Sequence, residues 1–291
     1  MFISYAIYKN WPDQQTHLIF CDVGQGDAIL ITRGFWQMLI DGGPDDKILS
    51  CLNKYVPFWD RNLEVIVTTH ADQDHIGGLI FVLKQYQVNT LFLSDVNNTQ
   101  TFDEFRILLL KQLDRGLVVK KPFLGQLISP NSKLQAKVMV PNLNLNDHKF
   151  LFSNINSETV LSDYFAFLEG ISVGHNQRSI VLFLEIEKAR ILLTGDLEHT
   201  GEQALIDYGM TDKIDVLKAG HHGAKTSSLN KFIEELRPEI CVISCAKFNR
   251  FNHPNGEVLK SLEQIGSKIL RTDQHGNIEF IFADQYYYLA D

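Results

Sequence analysis

Four side chains able to ligate a divalent ion fall within six residues in Thr69-His70-Ala71-Asp72-Gln73-Asp74-His75-Ile76-Gly77-Gly78. The β-branched run Val65-Ile66-Val67-Thr68-Thr69 predicts a strand leading into this segment, and a helix is expected to begin at the glycines. A strand-to-helix turn can aim alternate side chains at one point, and two divalent ions can share such a cluster. The plainer reading is an exposed acidic turn in which Asp74 caps the helix. Two later segments weigh against it. Leu192-Leu193-Thr194-Gly195-Asp196 places a carboxylate directly after an apolar strand, and Asp215-Val216-Leu217-Lys218-Ala219-Gly220-His221-His222-Gly223 ends another strand in paired histidines. Asp196 alone reads as a helix cap and His221-His222 as a surface turn. Three strand ends that all finish in ligand-type residues are improbable as coincidence.

Other segments suit anion chemistry. Gly24-Gln25-Gly26-Asp27 joins two strands, and its glycines permit backbone shapes that aim N–H groups at an anion, although a ligand-free hairpin fits equally well. Lys225, Thr226 and Ser227 precede a helix expected near Leu229, where their donors and the helix N-terminus can meet phosphate. Ordinary capping by Ser227 or Ser228 accounts for much of the same pattern. His253, in Asn252-His253-Pro254, is a candidate for protonating a leaving group, or else a buried, satisfied histidine. Arg271 and Asp273 read as a pair near the rim.

The elements that must position these residues follow from hydrophobic period. Leu18–Val23, Ala28–Thr32 and Gln37–Asp41, separated by Gly-rich turns, predict a β-meander. A helical pattern covers 46–55. Strands and helices then alternate, with strands over 65–69, 90–93, 117–119 and 134–140 and helices over 79–86 and 102–113. From Pro141 to Gln177 the texture turns to Asn, Asp and Ser with scattered Phe and Leu, and predicts an irregular insertion. Regularity returns with strands over 180–186, 190–194, 215–218, 240–244, 268–271, 278–282 and 286–289, and helices over 202–208, 229–236 and 257–265. Two sheets covered by outer helices, in one domain over 1–291, would bury these mostly apolar strands on both faces.

Composition sets the outer limits. The chain has 291 residues, 45% hydrophobic and 21% charged, which places it among globular proteins rather than disordered ones. Its 27 Lys and Arg against 35 Asp and Glu give a formal net charge of −8, which disfavours a broad basic binding face. Bound metal ions would reverse the field locally, so any nucleic-acid contact should be metal-centred. Cys21, Cys51, Cys241 and Cys245 are too sparse for a disulfide framework and read as buried free thiols. No stretch is long enough to span a membrane, and Met1–Tyr8 lacks the basic flank of a signal peptide. These features point to the cytoplasm.

The order His70-x-Asp72-x-Asp74-His75, then Asn176, Asp196 and His221-His222, resembles the metallo-β-lactamase superfamily, and within it the hydrolase domain of ComEC-type DNA-uptake (competence) proteins. Carrying the resemblance are Asp22-Val23-Gly24-Gln25-Gly26-Asp27, Leu39-Ile40-Asp41-Gly42-Gly43, the histidine turn, Asn176-Gln177-Arg178-Ser179, Leu193–Asp196, Lys218–Gly223, Thr226-Ser227-Ser228, Asn252–Pro254 and Arg271-Thr272-Asp273, all of which fall within residues 18 to 282. The resemblance implies an α+β fold, an αββα sandwich with two mixed sheets and a two-metal site at one edge. His70, Asp72 and Asn176 would hold one ion; Asp74, His75 and one of His221 or His222 the other; Asp196 would bridge. Asp74 would also orient a bridging hydroxide, with Asp41 and Asp22 supporting the site from behind. Gln25, Gly26, Asp27, Lys225, Thr226 and Ser227 would meet substrate.

The implied activity is that of a nuclease or phosphodiesterase using two divalent ions, Mn²⁺ or Zn²⁺, on DNA or another phosphodiester, with a membrane DNA-uptake channel as a separate partner protein. The alternatives are a small phosphodiester or choline-phosphate esterase, a β-lactam hydrolase, and a metal-stabilised binding module without catalysis. The chain departs from the family pattern at Asp72, where histidine is usual, and at Ala224, where serine often follows His-His-Gly. His175 stands beside Asn176 as a competing ligand. The chain also lacks the membrane channel, which makes it a free-standing hydrolase or a separated domain.

Overall fold

The computed structural model describes residues 11–139, 154–169, 174–210, 212–283 and 286–290. The expected meander is β1 (Thr16–Phe20), β2 (Ile29–Arg33) and β3 (Trp36–Ile40), followed by helix α1 (Lys47–Tyr55). Next come β4 (Asn62–Thr68), helices α2 (Gln73–Ile76) and α3 (Leu79–Gln85), β5 (Gln87–Leu93), α4 (Gln100–Leu113), β6 (Val118–Lys120), β7 (Leu127–Asn131) and β8 (Leu134–Met139). Then follow β9 (Asn154–Ile155), α5 (Glu158–Glu169), β10 (Val181–Ile186), β11 (Ala189–Leu193), α6 (His199–Asp207), β12 (Val216–Lys218) and α7 (Asn230–Leu236). The chain closes with β13 (Ile240–Ile243), α8 (Gly256–Gln264), β14 (Lys268–Arg271), α9 (Thr272–His275), β15 (Ile278–Ala283) and β16 (Tyr286–Leu289).

Two mixed sheets result, in the order β16-β15-β1-β2-β3-β4-β5-β6-β9 and β14-β13-β12-β11-β10-β8-β7. The pleat explains why both faces are apolar. Leu18, Phe20, Ile29, Ile31, Met38 and Ile40 point toward the second sheet and pack with its Leu182, Leu184, Ile191 and Val242. Their neighbours Ile19, Leu30 and Leu39 point the other way, into a layer with Leu52, Leu79, Leu83 and Phe105 of the helices. On the far side Leu192, Leu217 and Cys241 pack with Leu205, Phe232 and Leu262. The architecture is the αββα sandwich expected from the sequence.

Within each sheet a parallel block, β3-β4-β5-β6 in one and β11-β12-β13-β14 in the other, turns its C-terminal ends to one edge. Ligands bind at such edges because the loops there leave the sheet together. Gly78 is required at this edge by contact: a Cβ there would lie 1.9 Å from the Gly42 carbonyl oxygen. The absence of side chains lets the loop after β3 press against the start of α3.

Two expectations fail here. The segment 141–177 is not irregular throughout. Part of it, 141–153 and 170–173, lies outside the described residues, as does residue 140 at the end of the strand expected over 134–140. The remainder contains α5, whose Leu161, Tyr164, Phe165 and Leu168 sit at helical spacing and bury against the first sheet's helices. The Tyr164 hydroxyl donates to the Leu93 carbonyl at 2.5 Å. The polar residues leading into the helix, Asn154, Asn156, Ser157 and Glu158, hid it.

Nor are all four cysteines free. Cys21, after β1, forms a disulfide with Cys51 of α1 across 30 residues, with Cα atoms 5.9 Å apart. Docking α1 on the sheet creates the pair, and no local spacing announces it. Cys241 and Cys245 are free and buried, as expected. Burial pushes their thiols up to about 12 and about 11. Among the described residues no helix is long and apolar enough to cross a membrane.

Candidate metal centre

The loops after β3, β4, β11, β12 and β13 converge on one buried cluster. His75 is fully buried, its Nδ1 lying 2.7 Å from Asp41 Oδ2 and its Nε2 3.3 Å from Asp196 Oδ2. His222 is held the same way, with Nδ1 3.0 Å from the Ser244 carbonyl and Nε2 3.4 Å from Asp74 Oδ2 and 3.5 Å from Asp196 Oδ2. His70 places Nε2 3.6 Å from Asp72 Oδ2 and 3.9 Å from Asp196 Oδ2. Its Nδ1 lies 3.1 Å from Thr69 Oγ1, and that hydroxyl donates to Asp41 Oδ2 at 2.6 Å. With its proton so committed, the hydroxyl can only accept from the His70 ring. All three imidazoles thereby turn Nε2 toward Asp196, the tautomer following from the acceptor at Nδ1.

The same three Nε2 atoms, with Asp196 Oδ1, are buried and have no hydrogen-bond partner. Buried polar groups left unpaired are costly, so the set calls for a cation. Ligand atoms of His70, His75 and Asp196, and of Asp74, His75 and His222, lie within 4.8 Å of one another. Mixed imidazole and carboxylate donors suit zinc or manganese. The residues fit the divalent ions that the resemblance implies.

Charge balance agrees. Burial acts to raise the carboxyls of Asp74 and Asp196 and to lower the imidazoles of His75 and His222. Mutual attraction wins: both carboxyls sit well below their usual range, and both rings are raised, His75 strongly.

His221 and His222 both adopt left-handed backbone, at φ 45° and 55°, which is uncommon outside glycine. The bend sends His222 inward and leaves His221 at the rim, its Nδ1 3.2 Å from Glu198 Oε1 and its Nε2 3.8 Å from Asp196 Oδ2. Asn176 Nδ2 lies 3.4 Å from both Glu198 Oε1 and His221 Nδ1. His175 is drawn elsewhere, with Nδ1 2.6 Å from Asp95 Oδ2. Asp72 accepts from Asn97 Nδ2 at 2.9 Å, and attraction to the His70 ring, 3.6 Å away, outweighs burial to lower its carboxyl. His253 stands beside His221 with ring centroids 5.6 Å apart; burial, then the charge of His221, lowers its imidazole.

Several residues expected to meet substrate are placed otherwise. Asp27 is buried and ion-pairs with Lys218, because the turn folds back so that Asp27 N donates to the Asp74 carbonyl at 3.2 Å. Gly26 permits that approach, since a Cβ there would lie 2.1 Å from the Asp74 oxygen. Gln25 accepts from the Ala246 N–H at 3.3 Å. Ser227 is also buried, its hydroxyl spent on the carbonyls of Gly220 and Ala224. Thr226 donates to Glu198 at 2.7 Å, and exposed Lys225 pairs with Glu257. Asp22 is exposed and receives the Gly24 N–H at 3.2 Å, a turn contact away from the cluster. Arg271 and Asp273 form the expected pair, at 2.9 and 2.8 Å.

The structure adds residues that the sequence reading passed over. Lys218 is fully buried, donates to the Gly195 carbonyl at 2.8 Å and lies 3.6 Å from Asp196 Oδ1; the carboxylates of Asp27 and Asp196 outweigh burial to raise its ammonium. A lone lysine in the apolar strand β12 was the available signal. Asp95, buried after β5, accepts from the Ala71 N–H at 3.2 Å and from Arg178 at 2.5 Å, besides holding His175. Ser94-Asp95 ends an apolar strand as the recognised motifs do.

Residues 165–247 match the metallo-β-lactamase superfamily. Over 284 residues the chain is 38% identical to "Competence protein ComA" of Neisseria gonorrhoeae, covering 96% of this chain and 34% of that protein. Over 290 residues it is 29% identical to "ComE operon protein 3" of Bacillus subtilis, covering 91% and 33%. The chain thus spans about a third of the length of the curated relatives it matches. Among solved structures, the metallo-β-lactamase fold protein YhfI of Bacillus subtilis aligns with a TM-score of 0.54 at 12% identity, covering 92% of this chain and 100% of that one. Igni18, a metallo hydrolase from Ignicoccus hospitalis, aligns at 0.51 and 14% identity with the same coverage. At such identities these two show the fold alone.

Proposed function

We propose that this chain, which carries a metallo-β-lactamase domain, hydrolyses phosphodiester bonds of nucleic acid, with DNA as substrate, at a centre that takes two divalent ions. The observation behind this reading is the convergence of three unpaired, buried Nε2 atoms on Asp196. His70, Asp72 and the Asn176 amide would hold one ion, and Asp74, His75 and His222 the other, with Asp196 between them. Such ions, when bound, supply Lewis-acid charge at the phosphoryl group and lower the pKa of an attacking water. Asp41 and the Ser244 carbonyl keep His75 and His222 in the ligand tautomer. Lys218 offsets the carboxylates from behind. Both sheets contribute ligands, which supports a single hydrolase domain.

The competence relatives suggest a DNA-uptake setting, with a membrane channel as partner. The disulfide between Cys21 and Cys51 removes the free-thiol argument for the cytoplasm and favours an oxidising compartment. Asp72 in place of an imidazole moves the first site toward harder oxygen donors, so Mn²⁺ should support faster turnover than Zn²⁺, with excess Zn²⁺ inhibiting. Labelled DNA incubated with each ion tests this. Cleavage should be fastest with Mn²⁺, vanish in Asp196→Ala, and shift its optimum toward zinc in Asp72→His. A bis-nitrophenyl phosphate or a chromogenic lactam turned over while DNA stays intact would overturn the choice of substrate.

A further inference from the structure

The loop over 246–255, between β13 and α8, has no acidic residue, although the chain as a whole carries a formal charge of −8. It holds Lys247, Arg250 and two bare aromatics: Phe248 is 89% exposed and Phe251 50%. The loop is braced. Asn249 donates to the carbonyls of Ala246 at 3.0 Å and His253 at 2.7 Å, and accepts from the His253 N–H at 2.9 Å. Gln25 ties the Ala246 N–H to the turn after β1. The exposure of the rings is therefore built in by a fixed backbone. The Arg250 guanidinium lies 4.7 Å from the Phe251 centroid, and Lys247 Nζ 5.9 Å from that of Phe248. Phe251 lies nearly parallel to His253, at 5.7 Å and 12°. His253 leads to His221, and His221 to Asp196. The row of rings ends at the metal centre.

We propose that Phe248 and Phe251, with Lys247 and Arg250, form a stacking platform that grips unpaired bases of a single-stranded nucleic acid and leads its backbone to the metal centre. The inference rests on the phosphodiesterase reading above and names the form of substrate. An exposed aromatic flanked by cations and free of carboxylates matches the two faces of a single strand, a flat base and an anionic backbone. A duplex hides its base faces in its own stack and leaves only phosphate to a loop with two cations. Arg271 lines the same open groove but is neutralised by Asp273. Insertion of the same loop into a membrane surface would press the bilayer over the metal centre, whereas a strand lying along the ring row runs into it.

Binding read by fluorescence anisotropy, with metal removed by a chelator so that cleavage plays no part, tests the platform. The probes are a short labelled oligodeoxythymidylate, a labelled duplex of equal length, and vesicles of phosphatidylcholine with phosphatidylglycerol. Wild-type protein should favour the single strand, and Phe248→Ala with Phe251→Ala should weaken that binding about tenfold or more. Phe248→Trp should retain it and Phe248→Leu should not, which separates stacking from apolar bulk. Equal affinity for duplex, unchanged binding by the double variant, or vesicle binding in place of oligonucleotide binding would overturn the proposal. Cleavage with Mn²⁺ is read separately. Strand binding as described without cleavage defeats the enzymatic reading alone, and cleavage with binding indifferent to the two phenylalanines defeats the platform alone.

Discussion

Asp41 shows how much one side chain organises. It is fully buried with left-handed backbone at φ 56°, and its carboxylate accepts from Thr69 N at 2.8 Å, Thr69 Oγ1 at 2.6 Å and His75 Nδ1 at 2.7 Å. It therefore sets His75 directly and His70 through the threonine hydroxyl. Asp41→Asn keeps the size and tolerates the backbone, but an amide cannot accept from all three donors. Metal affinity, followed by competition with a chromogenic chelator, is expected to fall about 10–100-fold while the fold persists. Unchanged affinity would show that the rings are set by packing alone. The ligand types around Asp41 were readable from sequence because each ends an apolar strand. Which histidine of His221-His222 turns inward was not readable, since that choice lies in two left-handed residues.

At the scale of elements, a buried carboxylate helps to tie α6 to α7. Glu202 of α6 accepts from Ser228 N at 2.6 Å and Leu229 N at 2.7 Å, and so fixes the turn entering α7 next to the His221-His222 loop. Burial, working against those two donors, pushes its carboxyl up to about 7. The folded state then binds this proton more tightly than the unfolded chain, whose value is near 4.5. The resulting stabilisation is fully present below pH 4.5 and is lost as pH rises through about 7, amounting to about 3 kcal/mol. Denaturant unfolding of metal-free wild type and Glu202→Gln across that range should show the difference between them shrinking by this amount. Parallel profiles would contradict it. Sequence period located most strands because they are apolar runs or alternate cleanly, and glycine turns bound several of them. It missed β7, whose Ser129, Pro130 and Asn131 carry no alternation, and α5, which follows a stretch rich in Asn and Ser. The disulfide escaped because its two cysteines meet only after α1 docks.

Across the whole molecule, an acidic chain gathers several carboxylates and imidazoles at the shared edge of two sheets, and a cation bound there would change the sign of the field that an anionic substrate meets. The sign and extent of the acidic balance were plain in composition. The concentration of charge was legible only as strand ends, and the bare aromatic loop beside it not at all, because exposure is a property of the folded surface. The central claim is that phosphodiester cleavage requires both ions of the cluster. Bound Mn²⁺ and cleavage of an end-labelled single-stranded DNA, measured in the same samples as metal is titrated into the metal-free protein, test it most directly. Cleavage should stay near zero through the first equivalent and rise with the second. Two equivalents bound without cleavage, or full cleavage in the presence of a chelator, would contradict the account.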